Sequence, residues 1–198
     1  MTRGQLARRA RLTTAVIELL EEVSPEQLQV KQVTERSLVS LGAVYRYFSG
    51  KDHLLAASLT DWYGSFASQV EREYADGKVE TALVPANLPA RERVSRFVHL
   101  QMHSFYRHPH FARLMTFVYA SADPYASKEI ARVTEENRRM VVTLIGDRPG
   151  NQTHAMARAI SSTMSLSVMH WQGGRATYDD VVHDVDSVID LVFGQADQ

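Results

Sequence analysis

A chain of 198 residues, 44% hydrophobic and 23% charged, is long enough for one helical domain or for a small head on a larger body, and apolar enough for a real core. Its lack of cysteine excludes disulfides and thiolate metal sites, and no apolar run comes near the roughly 20 residues that cross a bilayer. The formal net charge of −1 speaks against a uniformly basic nucleic-acid binder, yet residues 1–51 hold eight Lys or Arg against five Glu, a net +3 that leaves −4 on the other 147. A basic head joined to an acidic body suits two parts with different partners. The opening stretch MTRGQLARRARLTTAV is basic without an apolar signal core, so a cytoplasmic protein with no membrane partner is expected.

The spacing of Leu12, Val16, Leu19, Leu20 and Val23 predicts a first helix over 5–23. Ser24-Pro25 ends it, because proline disfavours helix in the residue before it. Short helices are predicted at 31–37 and 41–48, with Val33, Val39, Val44 and Phe48 turned toward the first. Ser49-Gly50 breaks the chain before a long helix, 51–75, in which Leu55, Leu59, Trp62, Phe66 and Val70 recur at steps of three and four. Residues 76–89, with Gly77, Pro85 and Pro89, read as a linker. Helices follow at 90–107, 110–121 and 126–146, then a turn at 146–150 and a final pair at 152–172 and 178–193. No stretch alternates with the two-residue period of a strand. The expected fold class is all-α, with about nine helices.

Residues 33–54, VTERSLVSLGAVYRYFSGKDHL, organise the rest. Val44 and Phe48 are four apart and share one helical face, while small, hydroxyl, aromatic and basic groups surround them. A short helix with such a back and such a front suits a major groove, so the stretch reads as a helix-turn-helix.

Residues 39–55, VSLGAVYRYFSGKDHLL, carry a family likeness: a hydrophobic residue and Ser, then Gly, a small residue, an aliphatic, Tyr, an aromatic, Phe, and a Ser-x-Lys cap opening a long helix. Leu12 to Leu55 resembles the DNA-binding head of tetracycline-repressor-type (TetR/AcrR) transcriptional regulators. FARLMTFVYASADPYASKEIARV, residues 111–133, is similar to a branch that controls sterol and lipid breakdown. Two positions depart from the family pattern. The turn usually reads Ala-Gly-Val and here is Ser37-Leu38-Val39, which puts leucine where positive φ is wanted, so a different turn or a longer preceding helix is expected. Gln29-Val30 stands where threonine commonly caps the second helix, so a weaker helix start is expected.

The resemblance implies a DNA-binding head, residues 1–51, on a ligand-binding and dimerisation body, residues 52–198. With the second helix of the motif in the groove, Ser40 caps it or bonds a phosphate, and Gly42 and Ala43 let the backbone come close. Ala43 or Leu41 touches a thymine methyl, and Tyr45 and Tyr47 hold phosphates from an exposed face. Lys31 reaches a phosphate, and Lys51 adds charge at a helix N-terminus. Arg46 meets a guanine, a phosphate or a carboxylate in a solvated ion pair. Arg3, Arg8 and Arg9 are expected as a basic arm on the backbone or in a minor groove.

One head touches one half-site, so a homodimer on a palindromic double-stranded operator is expected. Serines among apolar residues in the eighth helix and a Val/Ile stripe in the ninth nominate Ile160, Met164, Val168, Val181, Val185, Val188 and Val192 for the interface; the competing reading turns these stripes into the chain's own core. The family implies an effector cavity in the body. Trp62, Phe66, Met102, Phe105, Tyr106, Met115, Phe117, Tyr119 and Trp171 are the bulky, adaptable candidates to line it. A small apolar metabolite, a lipid, acyl-CoA or steroid, is the expected effector, releasing a repressor from its operator.

His99 and His103 stand i, i+4, a spacing that can bind zinc or nickel with His108 or His110 nearby, so a metal-responsive regulator is the alternative. An all-helical enzyme is the remaining rival. There is no HExxH, GxSxG, P-loop or strand-borne GxGxxG, and Glu135-Glu136 and Asp179-Asp180 are adjacent pairs that diverge on a helix. No catalytic residue, metal ligand or cofactor is expected.

Overall fold

The computed structural model describes residues 1–76, 82–149 and 151–196, and among these it forms nine helices and no strand. They are α1 Arg3–Leu19, α2 Val30–Ser37, α3 Leu41–Tyr47, α4 Lys51–Ala75, α5 Ala90–Arg107, α6 Pro109–Tyr119, α7 Pro124–Ile145, α8 Gln152–Gln172 and α9 Tyr178–Ala196. Residues 77–81 of the expected linker, and Gly150 of the expected turn, lie outside the described residues. None of the described helices is long and apolar enough to cross a membrane.

Local chemistry sets the starts. Thr2 and Gln5 form a capping box on α1: the Gln5 N–H donates to Thr2 Oγ1 at 3.3 Å, and the Thr2 N–H to Gln5 Oε1 at 2.7 Å. At α2 the Gln29 N–H donates to Gln32 Oε1 at 2.8 Å, so glutamine supplies the helix start without the threonine of the family pattern. Pro109 occupies the first position of α6, where its missing N–H costs nothing.

The chain forms two compact units. The first comprises residues 1–63 and 108–133; the second comprises 64–107 and the described residues from 134 onward. Compactness divides the chain elsewhere than the boundary expected at residue 51: α6 and the first part of α7 cluster with α1, α2 and α3. In the first unit Leu12, Val16 and Leu19 of α1 are buried together with Val33, Val44, Phe48, Leu54, Phe111 and Leu114. Each such side chain contributes roughly 1.5–3 kcal/mol on leaving water, which explains how the short α2 and α3 are held in place.

In the second unit α5, α8 and α9 pack against one another. Arg93 donates to the Leu144 carbonyl at 3.1 and 2.9 Å, satisfying an oxygen left open at the end of α7, and to the Leu88 carbonyl ahead of α5 at 2.7 Å. Three aspartates of α9 are tied within the unit: Asp186 to His99 at 2.7 Å, Asp184 to the Ser167 hydroxyl at 2.8 Å, and Asp190 to Arg91. One set of nominated residues is corrected here. Ile160, Met164, Val168, Val181 and Val185 are fully buried within a single chain, so they form the core of this unit and not a surface for a second copy. Val188 and Val192 are half-buried. The exposed large apolar groups on these helices are instead Leu166 and Leu191.

Candidate nucleic-acid interface

α3 turns Val44, with the following Phe48, into the core of the first unit, and this fixes the opposite face outward. Leu41, Gly42, Tyr45 and Arg46 are exposed, and Ala43 is half-buried. A Cβ built on Gly42 meets nothing within 4 Å, so nothing in the protein requires glycine there; the open space leaves room for a close external backbone or base. Ser40 is the N-cap residue, but its side chain makes no capping bond and stays exposed, unlike the expected cap.

The turn ahead of α3 keeps its tight geometry despite leucine. Leu38 adopts φ 55° and ψ 33°, a left-handed cap on α2, and the Val39 N–H bonds Ser37 Oγ at 3.3 Å across the turn. The longer preceding helix that leucine suggested does not form.

Two cations, Lys51 and Arg9, differ from their expected places, and a third, Lys31, does not. Lys51 is partly buried: its ammonium donates to the Glu26 carbonyl at 3.1 Å and lies 5.8 Å from the Phe117 ring centre, and burial lowers its pKa. Arg9 is not part of a free arm, because it sits in α1, bonds Glu129 at 3.1 Å and covers the Phe48 ring at 5.3 Å. Lys31 is highly exposed, with Glu35 3.8 Å away, an ion pair of little energy in water. Tyr47 is corrected outright. The residue is half-buried and its hydroxyl is buried without a hydrogen-bond partner, so of the two hydroxyls only that of the exposed Tyr45 is placed for a phosphate.

A polar layer joins the end of α3 and start of α4 to α7. The Ser49 hydroxyl donates to Asp123 at 2.7 Å and the Ser121 hydroxyl to Asp52 at 2.6 Å. His53 accepts the Ser49 N–H on Nδ1 at 3.1 Å, meets Phe48 edge-on at 5.3 Å and stacks on Tyr125 at 5.4 Å. Burial lowers the His53 pKa, against the opposing pull of Glu129 and Asp123. The Ser49 hydroxyl and the N–H groups of Ala126 and Tyr125 hold Asp123 below the ordinary carboxylate range. At the other end of α6, Arg113 chelates Glu26 at 2.9 Å and His108 pairs with Glu21 at 3.0 Å. Sequence reasoning missed this layer, since its partners are separated by 69 to 87 residues.

The nominated pocket residues divide between the units. In the first, Trp62 stacks on Phe111 at 4.5 Å, Met115 is buried, Phe117 lies under Lys51, and Tyr119 is exposed. In the second, Phe66 stacks on Phe97 at 5.7 Å, and Met102 and Phe105 are buried. Tyr106 and Trp171 come together at 6.2 Å, and Tyr178, which was not nominated, meets Tyr106 at 4.5 Å. Among the described residues no three His, Asp or Glu side chains gather where they could hold a metal ion.

Residues 12–58 match the family model for bacterial regulatory proteins of the tetR family, and residues 89–192, just over half the chain, match that for the tetracyclin repressor-like C-terminal domain. The chain belongs to the tetR family. It is a DNA-binding transcriptional regulator of that family, as the head motif led one to expect. The HTH-type transcriptional repressor KstR of Mycolicibacterium smegmatis is 28% identical across 98% of this chain and 91% of that protein. KstR of Rhodococcus jostii is 28% identical across 96% of this chain and 85% of that one. Solved structures show the same fold. A TetR transcriptional regulator from Rhodococcus sp. RHA1 superposes with TM-score 0.76 at 19% identity, covering 96% of this tetR-family chain and 97% of its own. Thermus thermophilus FadR in complex with lauroyl-CoA gives 0.68 at 15% identity, covering 93% of each chain. Bacillus subtilis FadR in complex with stearoyl-CoA gives 0.65 at 16% identity, covering 92% of this chain and 96% of that one.

Proposed function

We propose that this tetR-family protein is a cytoplasmic, homodimeric repressor that binds a palindromic operator through α3 and is released by a long-chain lipid metabolite, most simply an acyl-CoA. The carrying observation is the division of α3 into a buried back, Val44 with Phe48, and an exposed front of Ser40, Leu41, Gly42, Tyr45 and Arg46. Such a front brings small groups to base edges and hydroxyl or cationic groups to phosphates. Lys31 and the remaining two N–H protons of Lys51 add phosphate contacts. The repressor reading is supported by the KstR relatives, and the effector class by the two FadR structures that hold acyl-CoA thioesters. An effector shifts the protein only if it binds the operator-free state more tightly, and a body rich in adaptable aromatic and methionine side chains suits an acyl chain. Regulation and not catalysis is its role.

A gel-shift assay with DNA from upstream of its own gene tests the operator reading, and adding acyl-CoA thioesters of graded chain length tests the effector. Retarded DNA released by a thioester, with an optimum chain length, is expected. Absence of any retarded band removes the operator reading; a band indifferent to every thioester removes only the effector class.

A further inference from the structure

Leu38 is the only non-glycine residue with positive φ among the described residues. Its Cβ disfavours that conformation, which glycine adopts freely and asparagine tolerates. Its side chain contributes no packing: at 85% it is the most exposed large hydrophobic residue among those described. Lone exposed leucines need no explanation, but one that also holds its backbone in a disfavoured region does. Three residues further on, Leu41 opens α3 at 50% exposed, and Tyr45, four beyond it on the same face, is 56% exposed. Apolar side chains thus run outward from the turn along the front of α3, while Val39, Val44 and Phe48 are buried behind them.

We propose that Leu38 is a specificity-determining residue of the operator interface: with Leu41 it forms an apolar edge that reads the C5-methyl group of thymine in the major groove of each half-site. This rests on the operator reading of α3. The occupant is DNA because the edge is continuous with the α3 front, and the thymine methyl is the apolar feature a major groove presents. Cytosine lacks that methyl, so the edge favours thymine at its position. The leucine is kept in an unfavourable turn by what it touches outside the protein.

Duplexes are selected from a random-sequence library with the full-length wild-type protein, and each thymine of the selected half-site is replaced in turn by uracil, which removes the methyl and keeps the pairing. Binding is measured by fluorescence anisotropy at one salt concentration for wild type, Leu38→Gly and Leu38→Asn, with thermal melts of all three. One uracil is expected to weaken wild-type binding by about fourfold, the worth of one buried methyl-sized group. Leu38→Gly weakens binding to the thymine duplex by about the same factor and no longer responds to that uracil. Both variants melt at or above the wild-type temperature. If Leu38→Gly binds as tightly as wild type, or uracil acts equally on both proteins, the proposal is overturned while operator binding stands. Variants that both melt below wild type overturn it too, because Leu38 then serves the fold. Failure of the wild type to select any duplex overturns the operator reading and the proposal together.

Discussion

Tyr45 and Tyr47 lie two residues apart on α3 and occupy opposite environments: Tyr45 is exposed, while the Tyr47 hydroxyl is buried without a hydrogen-bond partner. A polar group left unpaired in the interior costs about 1–3 kcal/mol. Tyr47→Phe is therefore expected to raise stability by about 1 kcal/mol, read as a higher urea midpoint, and to leave operator affinity unchanged. Tyr45→Phe is expected to do the reverse, with the midpoint fixed and operator affinity lower by roughly fivefold, about 1 kcal/mol. A loss of affinity in Tyr47→Phe would mean that its hydroxyl turns outward on DNA.

Lys51 makes a different kind of prediction, because one cation has two tasks. Its bond to the Glu26 carbonyl ties the start of α4 to the segment between α1 and α2. Two of its three protons remain for a phosphate. Lys51→Ala is expected to lower stability by about 1–2 kcal/mol, the worth of a hydrogen bond from a charged donor. It is also expected to reduce the slope of log K against log salt by about 0.9, one phosphate contact. An unchanged salt slope alongside lowered stability would assign Lys51 to the fold alone.

The helices and the face of α3 were legible because they depend on local chemistry. Apolar residues at steps of three and four, Ser24-Pro25, Ser49-Gly50 and the spacing of Val44 and Phe48 each act within one or two helical turns. What was not legible depends on partners distant in sequence. Nothing near Arg9 announces Glu129, 120 residues away, or turns it from an arm into a half-buried strut. The Tyr47 hydroxyl was expected outward because Tyr47 flanks the buried pair Val44 and Phe48, although its environment is set by packing. In the same way the periodicity of α8 and α9 revealed that they have apolar stripes but not which stripe covers which surface: Ile160 and Val185 read as well for an interface as for the core they occupy.

His53 predicts a pH dependence whose sign follows from its lowered pKa. Burial makes the folded chain a weaker proton acceptor at this site than the unfolded chain, whose histidine titrates near 6.5. As pH falls below that value, the unfolded state takes up the proton first, so the stability linked to neutral His53, complete above the ordinary histidine range, is lost on the way down toward pH 5. Urea midpoints at pH 7, 6 and 5 are expected to fall for the wild type and to fall less steeply for His53→Gln. The variant is also expected to be less stable at pH 7, since it loses the stacking on Tyr125 and the contact with Phe48. Equal slopes in the two proteins would remove His53 from the titration.

The burial pattern of α8 and α9 moves the expected dimer contact onto different residues. With Ile160, Met164, Val168, Val181 and Val185 committed to the core, the faces left outward carry Leu166, 54% exposed, and Leu191, 57% exposed. Ser162 and Ala155 are exposed on the same stripe of α8 as Leu166, and Ser187 and Gly194 flank Leu191 on α9. Small side chains around an exposed leucine allow close helix approach, and each leucine covered by a second copy adds roughly 1.5–3 kcal/mol. The double variant Leu166→Glu with Leu191→Glu is expected to sediment as a folded monomer at micromolar concentration with wild-type helical circular dichroism, because each residue is more than half exposed within its own chain. It is also expected to lose most operator affinity, as a single head reaches only one half-site. Ile160→Glu, which places a carboxylate in the core, is expected instead to unfold. A double variant that remains dimeric would put the contact on another face of the molecule.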